Sequence, residues 1–549
     1  MARRRGLATL AGLTLTGLAA ATALPQPASA ARYAIGVGTV ASIPALQRAL
    51  GPATESLAPL PAVVVERETA PRRQDLPGAT YVERLRTRRL SFEPNDPLAL
   101  RQWHLTANHA FDFWPSLPLL PSVRVAVIGS GIDETHPDLQ SRIVAAKSFV
   151  GTPVGEDTSG HGTFVAGLIG AAIDNSQGVA GMAPSAGLLI AKVVADDGSI
   201  DIEAEARAIR WAIEQDARVI NMSLGGLRDP RDRSRDTYSP LEEAALTYAT
   251  KRGVVVVAAV GNGDVAPSQP WPYASYPAAL PHVLGVSALG RNGSSPAFSN
   301  RDRIFNDLAA PGQELLSTLP RALTAPFKEC VEQGYSTCGP GEYREAEGTS
   351  FAAPQVSAAA AALIAHRPLL KPEQVTALLT GTAVDVNAGT GCRTCGFRRD
   401  ALTGWGRLDV AGALRALDAG SLPPADTREP NDDLGPQAAP VWGPIQRVRA
   451  TLDFWDDQND VYAIRLRRGQ PVFVSVRGPA GMDTNLILWR PGARSIDDFA
   501  SLDRIAVQSA RSGAREYLEY RAPKTCTYYV QVKLGSRGNG RYKLTIIKA

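Results

Sequence analysis

Three short stretches carry side chains that could do chemistry together. In DTSGHGTFVAGLIGAAI, residues 157–173, His161 stands between two glycines at the head of a run of small and apolar residues. In EGTSFAAPQVSAAAAALIAH, residues 347–366, Ser350 opens an alanine-rich helical pattern. The spacing puts Pro354 in the first turn, where a missing N–H costs nothing. VVVVAAVGNGD ends an unbroken apolar run and then presents Asn262. A serine at a helix N-terminus lies beside unpaired N–H groups, and these and the helix dipole favour developing negative charge. An asparagine amide nearby adds a donor, and together they make an oxyanion hole. A histidine takes the serine proton and passes it to a leaving group. Each piece alone has a plainer reading: a structural histidine, a serine N-cap, an asparagine chosen for its φ angle. Their joint occurrence at strand and helix ends points to nucleophilic catalysis.

The elements that must position these residues follow from hydrophobic pattern. Continuous apolar runs occur at VRVAVI, GLLIAKVV, RVINMSL, GVVVVAAV and HVLGVSAL. Unbroken runs are what strands buried on both faces require. Helical patterns lie between them. In DIEAEARAIRWAIEQ, Ile202, Ala206, Ile209 and Ile213 share one face, and Glu203 and Arg207 pair four apart. The expected fold class is therefore α/β, a mostly parallel sheet covered by helices on both faces. Such sheets carry their sites at the carboxyl ends of strands. Gly129 closes the first run, in VRVAVIGSGIDETHPDL, and stands at such an end.

Four segments are expected along the 549 residues. Residues 1–30 read as a signal peptide, with MARRR, an apolar run and ASA at a cleavage position; an uncleaved anchor is the competing reading. Residues 31–92 read as a small α+β unit, 93–420 as the α/β domain and 421–549 as an all-β sandwich of short strands such as VYAIRL, PVFVSV and TYYVQV. Three of the four net positive charges are Arg3, Arg4 and Arg5, so nothing favours a nucleic-acid partner. No later run is long enough for stable membrane insertion once the signal is cleaved. Of five cysteines, Cys330 with Cys338 and Cys392 with Cys395 read as local disulfides, with Cys526 left over; a four-cysteine zinc site is the alternative.

On these motifs the chain resembles a subtilase, a subtilisin-like serine peptidase. SGHGTFVAG matches the family's histidine motif, GTSFAAP its serine motif and AAVGNG its oxyanion asparagine; INMSLGG, YPA and AAPG also fit. The resemblance implies that Ser350 is the nucleophile, His161 the general base and acid, and Asn262 an oxyanion donor. It implies that Ser223, Leu224 and Gly225 pair with polypeptide substrate as an added strand. It makes residues 31–92 similar to a propeptide that partners the mature enzyme. It makes the C-terminal segment similar to the pre-peptidase-type sandwich of secreted bacterial peptidases. The localisation implied is secreted or periplasmic. No cofactor is required for the chemistry. A structural calcium held by Asp138 and Asn175 is implied, with a solvated turn as the alternative; the acidic turn at Asp456, Asp457 and Asp460 reads as a plain β-turn.

One position departs from the family. Its motif has an aspartate after the first strand, which orients the histidine; here Gly129 has no carboxylate. Asp133 and Asp157 are near in sequence, but neither is placed to reach the same ring nitrogen. Three readings stay open: a pseudo-peptidase that binds peptides or a surface, a weak peptidase, or a recent change or sequence error at one codon. The preferred expectation is a serine endopeptidase impaired by Gly129.

Overall fold

The computed structural model describes residues 31–549 apart from 53, 68, 86–91, 115–119, 325–335, 338–341, 387–398, 421, 423–427, 454–456, 497–498 and 537–538. The leader, the four cysteines in the two expected pairs and Asp456 lie outside the described residues, whereas Cys526 is a free thiol. The chain divides into two compact units, residues 1–90 and 91–549.

In the first unit, β1 (Ala31–Val37), β2 (Thr54–Ser56), β3 (Ala62–Arg67) and β4 (Ala79–Arg84) form an antiparallel sheet in the order β2-β3-β1-β4. Helix α1 (Ile43–Leu50) packs Ile43 and Leu46 on Ile35 and Val63.

The second unit is built on seven parallel strands: β5 (Val123–Gly129), β6 (Ile143–Ser148), β7 (Ala186–Lys192), β8 (Val219–Met222), β9 (Val255–Ala259), β10 (Val283–Leu289) and β11 (Leu308–Pro311). Their order is β11-β10-β9-β8-β5-β7-β6. Alternate side chains of β5 serve two cores. Val125 and Val127 face one with α2 (His161–Gly170) and α5 (Thr349–His366); Ala126 and Ile128 face another with α3 (Ile202–Glu214) and α4 (Pro240–Lys251). Burial on both faces is why these strands read as unbroken apolar runs.

Helix α5 runs through the middle of its core. From Thr349 to Ala365 every residue is buried except Ser350. A helix buried all round has no polar stripe, and its alanines let β8, β9 and β10 approach it. Helix α3 differs from expectation. Its buried face is Ala204, Glu205, Ala208, Ile209, Trp211 and Ala212, while Ile202, Ala206 and Ile213 are only half-buried. The stripe is turned so that Trp211 can pack edge-on against Phe149 at 6.0 Å, and the turn carries Glu205 inside. Glu203 and Arg207 do pair, at 2.5 Å on the exposed side.

Residues 439–549 form two packed, mostly antiparallel sheets. One orders Ala439–Pro440, Asn459–Leu466, Cys526–Leu534, Thr484–Trp489 and Ile505–Ser509; the other orders Ile445–Asp453, Asn539–Lys548, Pro471–Arg477 and Arg515–Arg521. Tyr462 and Val530 of the first meet Val474 and Leu544 of the second in one core. Among the described residues, no helix is long and apolar enough to cross a membrane.

Candidate active site

Ser350 is the second residue of α5, and the turn before it is clamped. Asn262 Oδ1 accepts Thr349 N–H at 2.9 Å and Thr349 Oγ1–H at 2.8 Å, and Thr349 Oγ1 accepts Gly261 N–H at 3.2 Å. With its oxygen engaged, Asn262 must turn its Nδ2 the other way. That nitrogen lies 3.4 Å from the position of a Cβ on Gly348, the residue that precedes α5. Thr349 N–H and Phe351 N–H are taken, the latter by Gly348 O at 3.1 Å, which leaves the Ser350 N–H as the donor that the start of α5 could offer an oxyanion alongside this amide.

Pro354 is not in the first turn, because α5 begins at Thr349 and the proline sits inside it. It has no N–H to give the carbonyl four residues back. That carbonyl belongs to Ser350, and it accepts Ser223 Oγ–H at 2.6 Å instead. Ser350 Oγ–H donates in turn to Ser223 O at 3.4 Å. Ser223 Oγ also accepts Asn221 Nδ2–H at 3.0 Å, and Asn221 Oδ1 accepts Ser357 Oγ–H at 2.9 Å. Sequence reasoning missed Asn221 and Ser357. The available signal was a polar residue in an apolar strand and a serine among alanines.

Beyond Ser223 the chain leaves the sheet as an open edge, with Leu224 half-buried and Gly225 exposed. A Cβ on Gly225 would fall 2.0 Å from Tyr276 O, so only glycine fits there. The edge is held where Gly226 and Tyr276 exchange backbone bonds at 3.0 and 2.9 Å.

His161 is the first residue of α2 and is half-buried. A Cβ on Gly162 would fall 2.1 Å from Gly131 O, so that glycine lets the helix start rest directly on the loop after β5. The His161 ring lies 5.4 Å from the ring of Phe351, the residue next to Ser350. Burial lowers the imidazole pKa, and the nearby Asp157 charge opposes that shift.

Asp157 is spent elsewhere. Its Oδ1 accepts from Ser130 Oγ at 2.8 Å, Ser159 Oγ at 3.2 Å and Gly160 N at 3.0 Å; its Oδ2 accepts from Thr163 N at 2.8 Å and Thr163 Oγ1 at 2.7 Å. Five donors exceed the roughly four lone-pair sites of a carboxylate, so Asp157 caps α2 and acts on His161 through its field. Asp133 points away, accepting from Thr135 N at 2.9 Å, Thr135 Oγ1 at 2.6 Å and Arg321 N at 3.0 Å. Gly129 ends β5 opposite Lys192, and a Cβ built there meets no atom within 4 Å.

The expected calcium ligands meet each other. Asp138 Oδ1 accepts Asn175 Nδ2–H at 2.8 Å and its Oδ2 accepts Val179 N–H at 2.9 Å. Asn175 Oδ1 accepts Gln177 N–H at 2.8 Å, so turning the amide over would break two bonds. The loop closes on these hydrogen bonds, with Asn175 turning its Nδ2 and not its Oδ1 toward Asp138, so a calcium held by both side chains would need that amide turned over. The turn read as plain brings Asp457 and Asp460 to Glu429, and Glu429 also meets His282 and Asp432, with ligand atoms within 4.8 Å in each group.

Residues 121–406 match the Subtilase family, Peptidase_S8. The chain is 38% identical over 249 residues to the major intracellular serine protease of Bacillus subtilis (strain 168), covering 44% of this chain and 67% of that one. It is 37% identical to subtilisin of Bacillus pumilus, over 48% of this chain and 84% of that one. It is 32% identical to thermitase of Thermoactinomyces vulgaris, over 55% of this chain and 94% of that one. Subtilisin E of Bacillus subtilis (strain 168) is matched over 60% of its length at 37% identity. By this family match and these relatives, the chain belongs to the subtilase family.

Proposed function

We propose that this subtilase is a secreted serine endopeptidase whose turnover is held low by Gly129. The observation that carries the reading is the clamp of Thr349 on Asn262 Oδ1, which aims the amide nitrogen at the N-terminus of α5 beside Ser350. In the reaction, substrate adds as a strand along Ser223, Leu224 and Gly225. Ser350 Oγ attacks the carbonyl while His161 takes its proton. Asn262 Nδ2 and the Ser350 N–H hold the oxyanion, and His161 then protonates the leaving amine. Residue 129 offers no carboxylate, so the imidazolium relies on the more distant field of Asp157. Residues 31–92 act as a propeptide, and the sandwich accompanies the enzyme outside the cell. No step runs through calcium.

The reading is tested with the purified full chain, its Ser350→Ala variant and its Gly129→Asp variant on casein and with a fluorophosphonate probe. Slow cleavage and labelling by the unaltered chain, abolished in Ser350→Ala, are expected. Peptide binding without labelling in either the unaltered chain or Gly129→Asp would favour a binding protein, the reading that Gly129 alone supports.

A further inference from the structure

We propose that the outer face of the second sheet of the C-terminal sandwich is a binding surface for a linear acidic polysaccharide. The inference is independent of the peptidase reading, since it uses no residue of that site.

The register of the sheet carries it. Arg449 lies opposite Lys543, Lys543 opposite Arg477, and Arg477 opposite Arg515, so one row across all four strands is cationic. All four residues are exposed, while their chain neighbours Val448, Leu544 and Val476 are buried, so the row faces away from the core. Like charges directly opposite one another destabilise a sheet, and soluble surfaces ordinarily intersperse the two signs. Among the described residues none of the four forms a salt bridge, whereas exposed Arg124 and Arg207 of the α/β domain each pair with a carboxylate. Among the described side chains of these strands, Glu519 is the one carboxylate on the outer face, and it stands two rows away. The whole chain carries a formal charge of only +4, so the row is a local concentration and not a share of a basic surface. Cations aligned against the interest of the fold are answered by an anion from outside it.

The spacing selects the polymer. Neighbouring strands lie about 4.7–4.9 Å apart, so the row offers one cation per strand over about 14 Å. That step is close to the length of one sugar unit in a linear chain. An extended polypeptide presents same-side carboxylates about 6.6–6.8 Å apart, and each strand of duplex DNA carries a phosphate about every 3.4 Å. The adjoining row reads Arg447, Thr545, Ser475 and Tyr517, three hydroxyls in line with a guanidinium. Hydroxyls both donate and accept, which suits the hydroxyls of a sugar, and the Tyr517 ring, 54% exposed, offers a flat face to sugar C–H groups. Single-stranded nucleic acid would instead use aromatic platforms for successive bases, and the paired residues flanking the cations supply one ring.

The experiment measures, by titration calorimetry, binding of the full chain to polygalacturonate, which has a carboxylate on each sugar, and to the same polymer fully methyl-esterified. Binding to the acid and none to the ester is expected, with affinity falling about tenfold or more between about 50 and 200 mM salt. Lys543→Glu sets an acid between Arg449 and Arg477. It should weaken binding about tenfold or more without lowering the melting temperature, because two like-charge pairs become opposite-charge pairs. Lys251→Glu makes the same change of net charge at an exposed lysine of α4 and should bind as the unaltered chain does. Equal binding of acid and ester overturns the proposal. A loss in Lys251→Glu as large as in Lys543→Glu also overturns it, and assigns the effect to the field of the whole molecule. A lower melting temperature for Lys543→Glu overturns the cationic row itself. Tighter binding of oligothymidylate, or of phosphatidylglycerol vesicles, at equal anion concentration overturns the glycan in favour of that partner.

Discussion

Ser223 holds Ser350 from both sides. Its hydroxyl donates to the Ser350 carbonyl at 2.6 Å, and its own carbonyl accepts the Ser350 hydroxyl at 3.4 Å. The first bond exists because Pro354 withholds the helical N–H that would otherwise occupy that carbonyl. One residue thus couples the edge at Ser223–Gly225, proposed above to take substrate, to the proposed nucleophile.

Ser223→Ala removes the donor and leaves a partly buried carbonyl without its partner, which costs about 0.5–1.5 kcal/mol. The variant is expected to unfold at lower urea concentration and to cleave more slowly, because the nucleophile loses its registration to the edge. Pro354→Ala restores the helical N–H to the same carbonyl, so the double variant should recover stability but not rate. Denaturant midpoints and initial rates for the three proteins test this. Equal stability of Ser223→Ala and the parent would refute it.

Gly129→Asp is expected to fold without strain, since the added side chain starts in open space and the residue's φ is not positive. In subtilisin, loss of the aspartate alone costs about 3 × 10⁴ in turnover, roughly 6 kcal/mol of transition-state stabilisation at about 1.4 kcal/mol per tenfold. Restoring it here should raise kcat by about 10⁴ with little change in KM. A gain confined to KM would show that residue 129 serves binding and not the imidazolium.

Asp157 has two separable jobs. As the cap of α2 it ties Ser130, Gly160 and Thr163 together. As the charge nearest His161 it raises an imidazole pKa that burial lowers. Asp157→Asn keeps part of the cap and removes the charge. The His161 pKa then falls further, so the acid limb of the pH–rate profile should move to lower pH. A shift the other way would mean that Asp157 does not act on the ring through its field. Asp157→Ala should in addition lower stability by about 1–3 kcal/mol.

Much of this was legible in the sequence because it depends on strong local signals. The unbroken runs that became β5, β7, β8, β9 and β10 needed only counting, since burial on both faces leaves no polar alternation. His161, Ser350 and Asn262 stood out because glycines and alanines crowd around them, and close packing of helix starts demands small residues. Other features were set by tertiary contacts that no local pattern carries. The face of α3 was misjudged because Trp211 seeks Phe149 across the fold. Pro354 was placed too early because the helix start is fixed by Asn262, which is 87 residues away from Thr349. The direction of the Asn175 amide in the Asp138 loop follows the Gln177 N–H that its oxygen accepts, which the residue types alone do not give. Glu429, ahead of the sandwich, meets Asp457 and Asp460 within it, a contact with no trace in either stretch alone.

The inward turn of α3 has a consequence for pH. Glu205 and Glu242 are 2% and 3% exposed and face each other between α3 and α4. Burial, then the charge of Glu242 and their shared hydrogen bond, push the Glu205 carboxyl up to about 9; burial raises Glu242 as well. The folded protein therefore keeps a proton here that the unfolded chain gives up in the ordinary carboxylate range near 4.3. Where the folded state binds more protons, stability falls as pH rises. The contribution is present in full below the ordinary carboxylate range and is lost progressively toward about 9. Glu205→Gln replaces the protonated carboxyl with a neutral amide of the same shape. Its melting temperature should match the parent's at about pH 5 and exceed it increasingly toward about pH 9. Parallel melting curves for the two proteins across that range would show that the pair is already ionised or separated, and that α3 does not carry a proton into the core.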